Sequence, residues 1–134
     1  MKDLVDLTMS EWRRTPFVYG ENDCLLGLAI YVSKSDNPAN SLDAIKQFQY
    51  SYDTEDGAQA LVDAAGGPEY LLDLIGLPRI PPEEAERGDI VIITTPKGQT
   101  IGALCTGSGT VVRTMYSTYE MSKRLVPITH AWKV

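Results

Sequence analysis

The sequence predicts a single α+β domain over residues 1–134, in which a helical half, about residues 1–80, precedes a β half, about residues 88–134. Three observations lead to this prediction. Apolar residues recur at helical spacing through about residue 75, a Pro81-Pro82 pair follows, and short β-rich runs separated by turn residues come after it. No internal repeat, low-complexity tract or long linker divides the chain. An antiparallel sheet or small barrel packed on helices is therefore expected.

Two helices are predicted in the first third of the chain. The first covers residues 3–14 and ends before Pro16, because a proline ring does not fit a helix interior. The second is capped by Asn22 or Asp23 and contains the run 25–32, which is apolar almost all round. Such a run is typical of a helix buried at the centre of a domain.

Three shorter helices are predicted after this central one. The third begins at Ser41, a possible cap for apolar positions that follow at helical spacing. The fourth covers residues 58–65 and is closed by a glycine pair. The fifth covers residues 68–75, with proline at its first position and glycine after its end.

The β half contains four predicted strands. Turn residues at 96–98 and 107–109 are typical of hairpins. The strands cover residues 90–93, 101–105, 110–112 and 124–132.

Charge and hydropathy exclude several classes of function. The formal net charge is −6, and the acidic residues are spread along the chain, whereas nucleic-acid binding needs a concentrated basic surface. The apolar runs are far shorter than the roughly 20 residues that span a bilayer, so no membrane insertion is expected. The N-terminus lacks the residue order of a secretory signal, so synthesis and folding in the cytoplasm are expected.

The cysteines and the histidine are too few for a disulfide scaffold or an ordinary zinc site. The chain has two cysteines and one histidine, without close spacing. The acidic segment 53–57 resembles a calcium loop, but Tyr52 then occupies the first ligand position. We therefore expect no metal and no cofactor.

Cys24 is the residue most suggestive of chemistry, because it falls in the first turn of the apolar second helix. Unpaired backbone N–H groups and the helix dipole stabilise a thiolate there, so the thiol can become nucleophilic. The alternative interpretation is a small buried core residue.

Three motifs resemble the NlpC-type cell-wall cysteine peptidases, a papain-like family. The segment 16–24 is similar to the Pro-Tyr-x-Tyr/Trp-Gly turn that precedes an Asp-Cys pair in that family. The segment 86–91 is similar to the Gly-Asp-hydrophobic-Val start of its first strand, and 100–107 to its His-Val-Gly-Ile-x-x-Gly strand. The resemblance implies a papain-like α+β fold for both halves of the chain.

The resemblance also implies roles for single residues. Cys24 stands at the position of the nucleophile, Asp23 precedes it as in the family, and Tyr19 matches a tyrosine that flanks the active cleft. Thr100 stands at the position of the catalytic histidine, and a threonine hydroxyl cannot act as a general base near neutral pH. The family's third polar residue would fall near residues 112–114.

His130 is the one histidine that could replace the missing base. It lies in a predicted terminal strand that could neighbour Cys24, although a lone histidine is more often structural. Cys105 is five residues after Thr100, so it faces the opposite side of its strand. A Cys24–Cys105 disulfide is therefore not expected, and Cys105 is interpreted as a core residue.

Three functions follow as hypotheses. A short, single-domain version of this fold resembles proteins of phage tail modules, which suggests a virion component that contacts other tail proteins and has lost or nearly lost hydrolysis. The second hypothesis is an active cysteine peptidase or amidase that cleaves peptidoglycan stem peptides through a thioester on Cys24, with His130 as base. The third is a small inhibitor or adaptor of the same fold.

Overall fold

A computed structural model describes residues 3–134 and has five α-helices followed by a six-stranded sheet. A 3₁₀ turn at Pro82–Glu84 lies between the first two strands. The helices α1 to α5 cover Leu4–Arg14, Cys24–Ser33, Ser41–Phe48, Glu55–Ala65 and Pro68–Asp73. The strands β1 to β6 cover Arg79–Ile80, Ile90–Thr94, Thr100–Cys105, Gly109–Arg113, Thr118–Ser122 and Ile128–Trp132.

The predicted α+β class and the order of helices before strands are confirmed. The predicted cap of the third helix is wrong: Ser41 is buried within the first turn, and Asn40 occupies the cap position without a side-chain hydrogen bond. The fourth helix begins earlier than predicted, at Glu55. Thr54 caps it by accepting a hydrogen bond from the N–H of Gly57 at 3.0 Å.

The sheet is antiparallel throughout, in the order β1-β6-β2-β3-β4-β5. Two strands were not predicted: β1 has only two residues, and β5 is a largely exposed edge strand without an apolar run. The predicted strand over 124–132 is shorter in the structure, because a turn in which Leu125 and Val126 donate to the carbonyl of Ser122 precedes β6.

Two hydrophobic clusters lie on opposite faces of this sheet. The first joins α1, α2 and the stretch around α5 to one face and includes Trp12, Leu28, Leu72 and Trp132. The second lies on the other face and includes Val91, Ala103, Cys105 and Val112. Cys105 is fully buried there, which confirms its interpretation as a core cysteine.

Helix α2 packs directly on β3 because β3 has a glycine at the contact. A Cβ atom on Gly102 would lie 2.9 Å from Cδ1 of Leu28 and 3.3 Å from Cδ2 of Leu25. Both distances are shorter than ordinary van der Waals contact. The hydroxyl of Tyr31, on the same helix, donates to the carbonyl of Gly88 at 2.6 Å. The contacts at Gly102 and the Tyr31 hydrogen bond thus hold both halves of α2 against the sheet.

The described residues include no helix with the length and apolarity needed to cross a membrane.

Leu28→Ala should lower the free energy of unfolding by about 3 kcal/mol, because it leaves a cavity between α2 and β3. Leu42 on α3 is the matched control: its side chain is 66% exposed, against 0% for Leu28. Leu42→Ala should change stability by less than about 0.5 kcal/mol. Urea denaturation of both variants measures the difference, and equal losses would contradict the assigned core.

Candidate functional site

The candidate site is built at the N-terminus of α2. Asp23 is the N-cap, and one of its carboxylate oxygens accepts a hydrogen bond from the backbone N–H of Leu26 at 3.0 Å. The sequence allowed Asn22 or Asp23 as the cap, and the structure assigns Asp23. Cys24 is therefore the first residue of the helix, as predicted from its place before the apolar run.

The Asp23 carboxylate is also the centre of a buried polar network. Its second oxygen accepts hydrogen bonds from the N–H of Gly20, at 3.0 Å, and from the hydroxyl of Tyr52. Asp23 is only 2% exposed, so these donors replace the water that would otherwise solvate it. Burial and the Asp23 charge raise the pKa of Tyr52, which stays a neutral donor.

The Cys24 thiol is a poor nucleophile in this arrangement. Burial, followed by the nearby Asp23 charge, raises the pKa of Cys24 to about 12. The backbone N–H groups of the first turn act in the opposite direction and are outweighed. The helix N-terminus thus lowers this pKa in the expected direction, but burial and the Asp23 charge raise it by more, which favours the protonated thiol at neutral pH.

A cleft of about 1190 Å³ opens beside this helix end, between the helices and the sheet. Both Cys24 and Thr100 line it, together with Asp23 and Tyr19. The structure thus brings together four of the five residues named from the sequence. Tyr19 is half-buried, its ring lies 4.9 Å from that of Phe17 in an edge-on arrangement, and burial raises its pKa.

Thr100 begins β3 on the side of the sheet that faces the helices. It lies two residues before Gly102, whose missing side chain points at α2, and residues two apart share a face of a strand. This is the position at which the resemblance places a catalytic histidine. Its hydroxyl supplies no group that titrates near neutral pH, so the cleft lacks a base at this point.

His130 lies outside the lining of this cleft. It is on β6 opposite Ile92, its ring stacks on Trp132 at 6.3 Å, and its Nδ1 atom is 3.0 Å from the hydroxyl of Thr129. These neighbours place His130 two strands away from β3. The structure therefore does not bring the predicted alternative base to the residues around Cys24.

Arg113 was missed by sequence reasoning, although it falls within the residues 112–114 where a third polar group was expected. It is only 3% exposed, lines the cleft, and donates to the carbonyls of Trp12 and Thr15 at 3.2 and 2.8 Å. Its Nε atom has no hydrogen-bond partner among residues 3–134. Burial lowers the pKa of Arg113. The signal in the sequence was a charged residue that ends an apolar strand.

The described part of the chain contains no cluster of three histidine, cysteine or acidic side chains placed to hold a metal ion. Both cysteines there are free thiols.

The fold and site define an α+β protein with a cleft at the N-terminus of its central helix. A family model described as "Domain of unknown function (DUF6950)" matches residues 2–134. The chain therefore belongs to this family. No curated protein and no solved structure matches it significantly.

Two substitutions should separate the effect of the Asp23 charge on Cys24 from the effect of the Asp23 cap on stability. Asp23→Asn keeps a good cap, so it should lower stability less than Asp23→Ala, which loses about 1 kcal/mol at the cap alone. Asp23→Asn should also lower the pKa of Cys24, because it removes a negative charge beside the thiol. Thiolate ultraviolet absorbance against pH, in a Cys105→Ser background, measures this shift.

The Cys24→Ser variant in the same background gives the baseline for that titration. An unchanged thiol titration in Asp23→Asn would contradict the assigned electrostatic coupling. A Cys24 pKa below the free-thiol value of about 8.5 in the otherwise unaltered protein would contradict the assigned neutral thiol.

Proposed function

We propose that this protein is a phage tail component with an NlpC-like, papain-type fold, which acts through protein contacts at its cleft and does not hydrolyse peptide bonds. The proposal rests on the two residues of the cleft that stand at the positions of the family's nucleophile and base. Cys24 has a protonated thiol, and Thr100 occupies the position where the resemblance requires an imidazole. A cysteine peptidase of this type needs a thiolate and an imidazole to protonate the leaving amine, and the residues that line this cleft include no histidine.

The positions of the motifs support the proposed fold. The Asp-Cys pair opens the central helix, and the glycine of the third motif lies against that helix. The second motif also has a structural role, since the buried Asp89 accepts hydrogen bonds from the N–H groups of Glu86 and Val134 at 2.9 and 3.0 Å. Residues of the first and third motifs thus line one cleft, and the second motif lies outside that lining.

The rim of the cleft supports a role in protein contacts. Met115, Tyr116 and Tyr119 line it and are exposed, Tyr116 to 91%. Aromatic residues and methionine are enriched at the cores of protein interfaces, where they supply contact area at little entropic cost. The proposals that the assembly is a phage tail and that the partners are other tail proteins rest on the resemblance to the NlpC-type family.

An active peptidase is the second candidate, favoured by one observation. Cys24 opens an α-helix and lines a cleft large enough for a peptide. If the base is an imidazole, this function needs it from outside the lining of the cleft, since His130 lies on β6 away from it.

Thr100→His should place an imidazole where the proposed fold has its base. We expect the pKa of Cys24 to fall by about two units, because an imidazolium stabilises the thiolate. Gln99→His is the matched control: Gln99 is the exposed residue just before β3 and also lines the cleft, and neighbouring residues of an extended chain point to opposite sides. Equal titrations of Cys24 in both variants would show that Thr100 does not face it.

The two candidate functions predict different results for the cleavage of stem peptides and for the presence of the protein in virions. The unaltered protein should leave purified peptidoglycan stem peptides uncut, as measured by mass spectrometry, and His130→Ala should change nothing. Antibodies should detect the chain in purified virions of the phage that encodes it. Cleavage that Cys24→Ala abolishes would favour the peptidase, and recovery only as a free cytosolic monomer during infection would contradict the tail component.

A further inference from the structure

The net negative charge of the chain comes from one segment. Residues 47–78 contain six acidic residues and no lysine, arginine or histidine, so their formal charge is −6, which equals the net charge of the whole chain. These acids are Asp53, Glu55, Asp56, Asp63, Glu69 and Asp73. Within residues 3–134, Asp73 binds Arg79 at 2.6 Å and the other five acids have no ion pair. The segment is therefore a negative region with few counter-charges.

Helix α4, which lies in this segment, forms one wall of the cleft. Of the five helices described, α4 alone has no buried residue. Its apolar residues Ala58, Leu61 and Val62 line the cleft and are only half-buried. The apolar side of a helix normally packs against another element. This wall of the cleft thus offers apolar surface to a molecule that enters.

Two acidic residues stand at the ends of this apolar wall. Glu55 and Asp63 both line the cleft and are exposed. They are eight residues apart on α4, which corresponds to about 12 Å along the helix. Glu55 lies in the first turn, where an acid stabilises the helix, but Asp63 lies in the last turn, where a negative charge is unfavourable. Helix stability therefore does not account for the charge of Asp63.

The sheet side of the cleft carries exposed aromatic residues near one of these acids. Tyr116, on the turn between β4 and β5, lines the cleft and is 91% exposed. Burial, then the Glu55 charge and more weakly Tyr116, raise the pKa of Tyr19. Glu55 and Tyr116 thus lie near the same ring, at one end of the cleft. Because the face of a tyrosine ring attracts a cation, a carboxylate and a ring could bind one cationic side chain there.

The two cationic residues that line the cleft leave the charge of α4 in place. The buried Arg113 donates to the carbonyls of Trp12 and Thr15, at the end of α1. Lys97 is exposed on the turn between β2 and β3 and has no ion pair within residues 3–134. The acids of α4 therefore remain able to pair with charges from a partner.

We propose that the cleft binds a basic segment of a partner protein, in which apolar residues contact the half-buried side of α4 and two lysine or arginine residues, about 12 Å apart, pair with Glu55 and Asp63. This inference rests on the proposed function in protein contacts and identifies the chemistry of the partner. Apolar contact supplies affinity, and the charges steer association and select the partner. An acidic segment would meet like charges at both positions and is rejected.

The probe is a linear random peptide library displayed on filamentous phage and selected on the full chain, with the best peptides synthesised. The selected peptides should be enriched in lysine and arginine beside apolar residues. Their affinity, measured by fluorescence anisotropy, should fall about tenfold in Glu55→Gln/Asp63→Asn, since each exposed ion pair contributes a factor of about three. Raising the salt concentration from about 0.05 to about 0.5 M should remove this difference, because salt screens exposed charges.

Glu83→Gln/Glu84→Gln is the matched control. These two acids are also exposed and without an ion pair within residues 3–134, but they lie on the 3₁₀ turn, outside the lining of the cleft. The control variant should bind the selected peptides normally. Circular dichroism should show unchanged helix content in both double variants, because each substitution is isosteric and exposed. Tyr116→Ala should weaken binding about threefold through the lost contact with a cation.

Three results would overturn the inference: selection that yields no binding peptide, selected peptides without an excess of lysine and arginine over the starting library, or equal affinity losses in the two double variants. None of these results depends on the Cys24 thiol, on cleavage of stem peptides or on detection in virions. Failure of this inference is therefore distinguishable from failure of the proposed function.

Discussion

The close contact between α2 and β3 is the constraint on which the rest of the structure depends. It exists because Gly102 has no side chain, so Leu25 and Leu28 can approach the backbone of the sheet. The contact aims the first turn of α2 at the start of β3 and so places Cys24 and Thr100 in one cleft. The same contact buries the helix end, and from that burial follow the network around Asp23 and the neutral state of the thiol.

The electrostatics of the helix end show why a cysteine at this position does not by itself make a nucleophile. A helix N-terminus favours a nearby anion by about 0.3–1 kcal/mol at a solvated site. At Cys24, burial and the Asp23 charge raise the pKa to about 12 against the lowering by the backbone N–H groups. Burial and the full charge of Asp23 thus dominate over the partial charge of the helix. An imidazolium at residue 100 is the kind of group that could reverse the balance.

The sequence was informative where a local pattern decides the structure. Apolar periodicity and turn residues located the five helices, and the Asp-Cys pair located the helix end, because caps and amphipathic faces are set by neighbouring residues. It was uninformative where distant residues decide: β1 has only two residues and exists through its pairing with β6, about fifty residues later in the chain. Arg113 was missed for the same reason, since its partners Trp12 and Thr15 are about a hundred residues away in the chain.

Thr100 separates the chemistry of the cleft from its capacity for protein contacts. Its side chain stands where the proposed fold would have a base, in the same cleft that the exposed residues Met115, Tyr116 and Tyr119 line. A histidine at residue 100 would change the charge beside Cys24 without altering those exposed side chains. Loss of the base therefore does not require loss of the contact surface, so a cleft that no longer cleaves a peptide can still hold a partner protein.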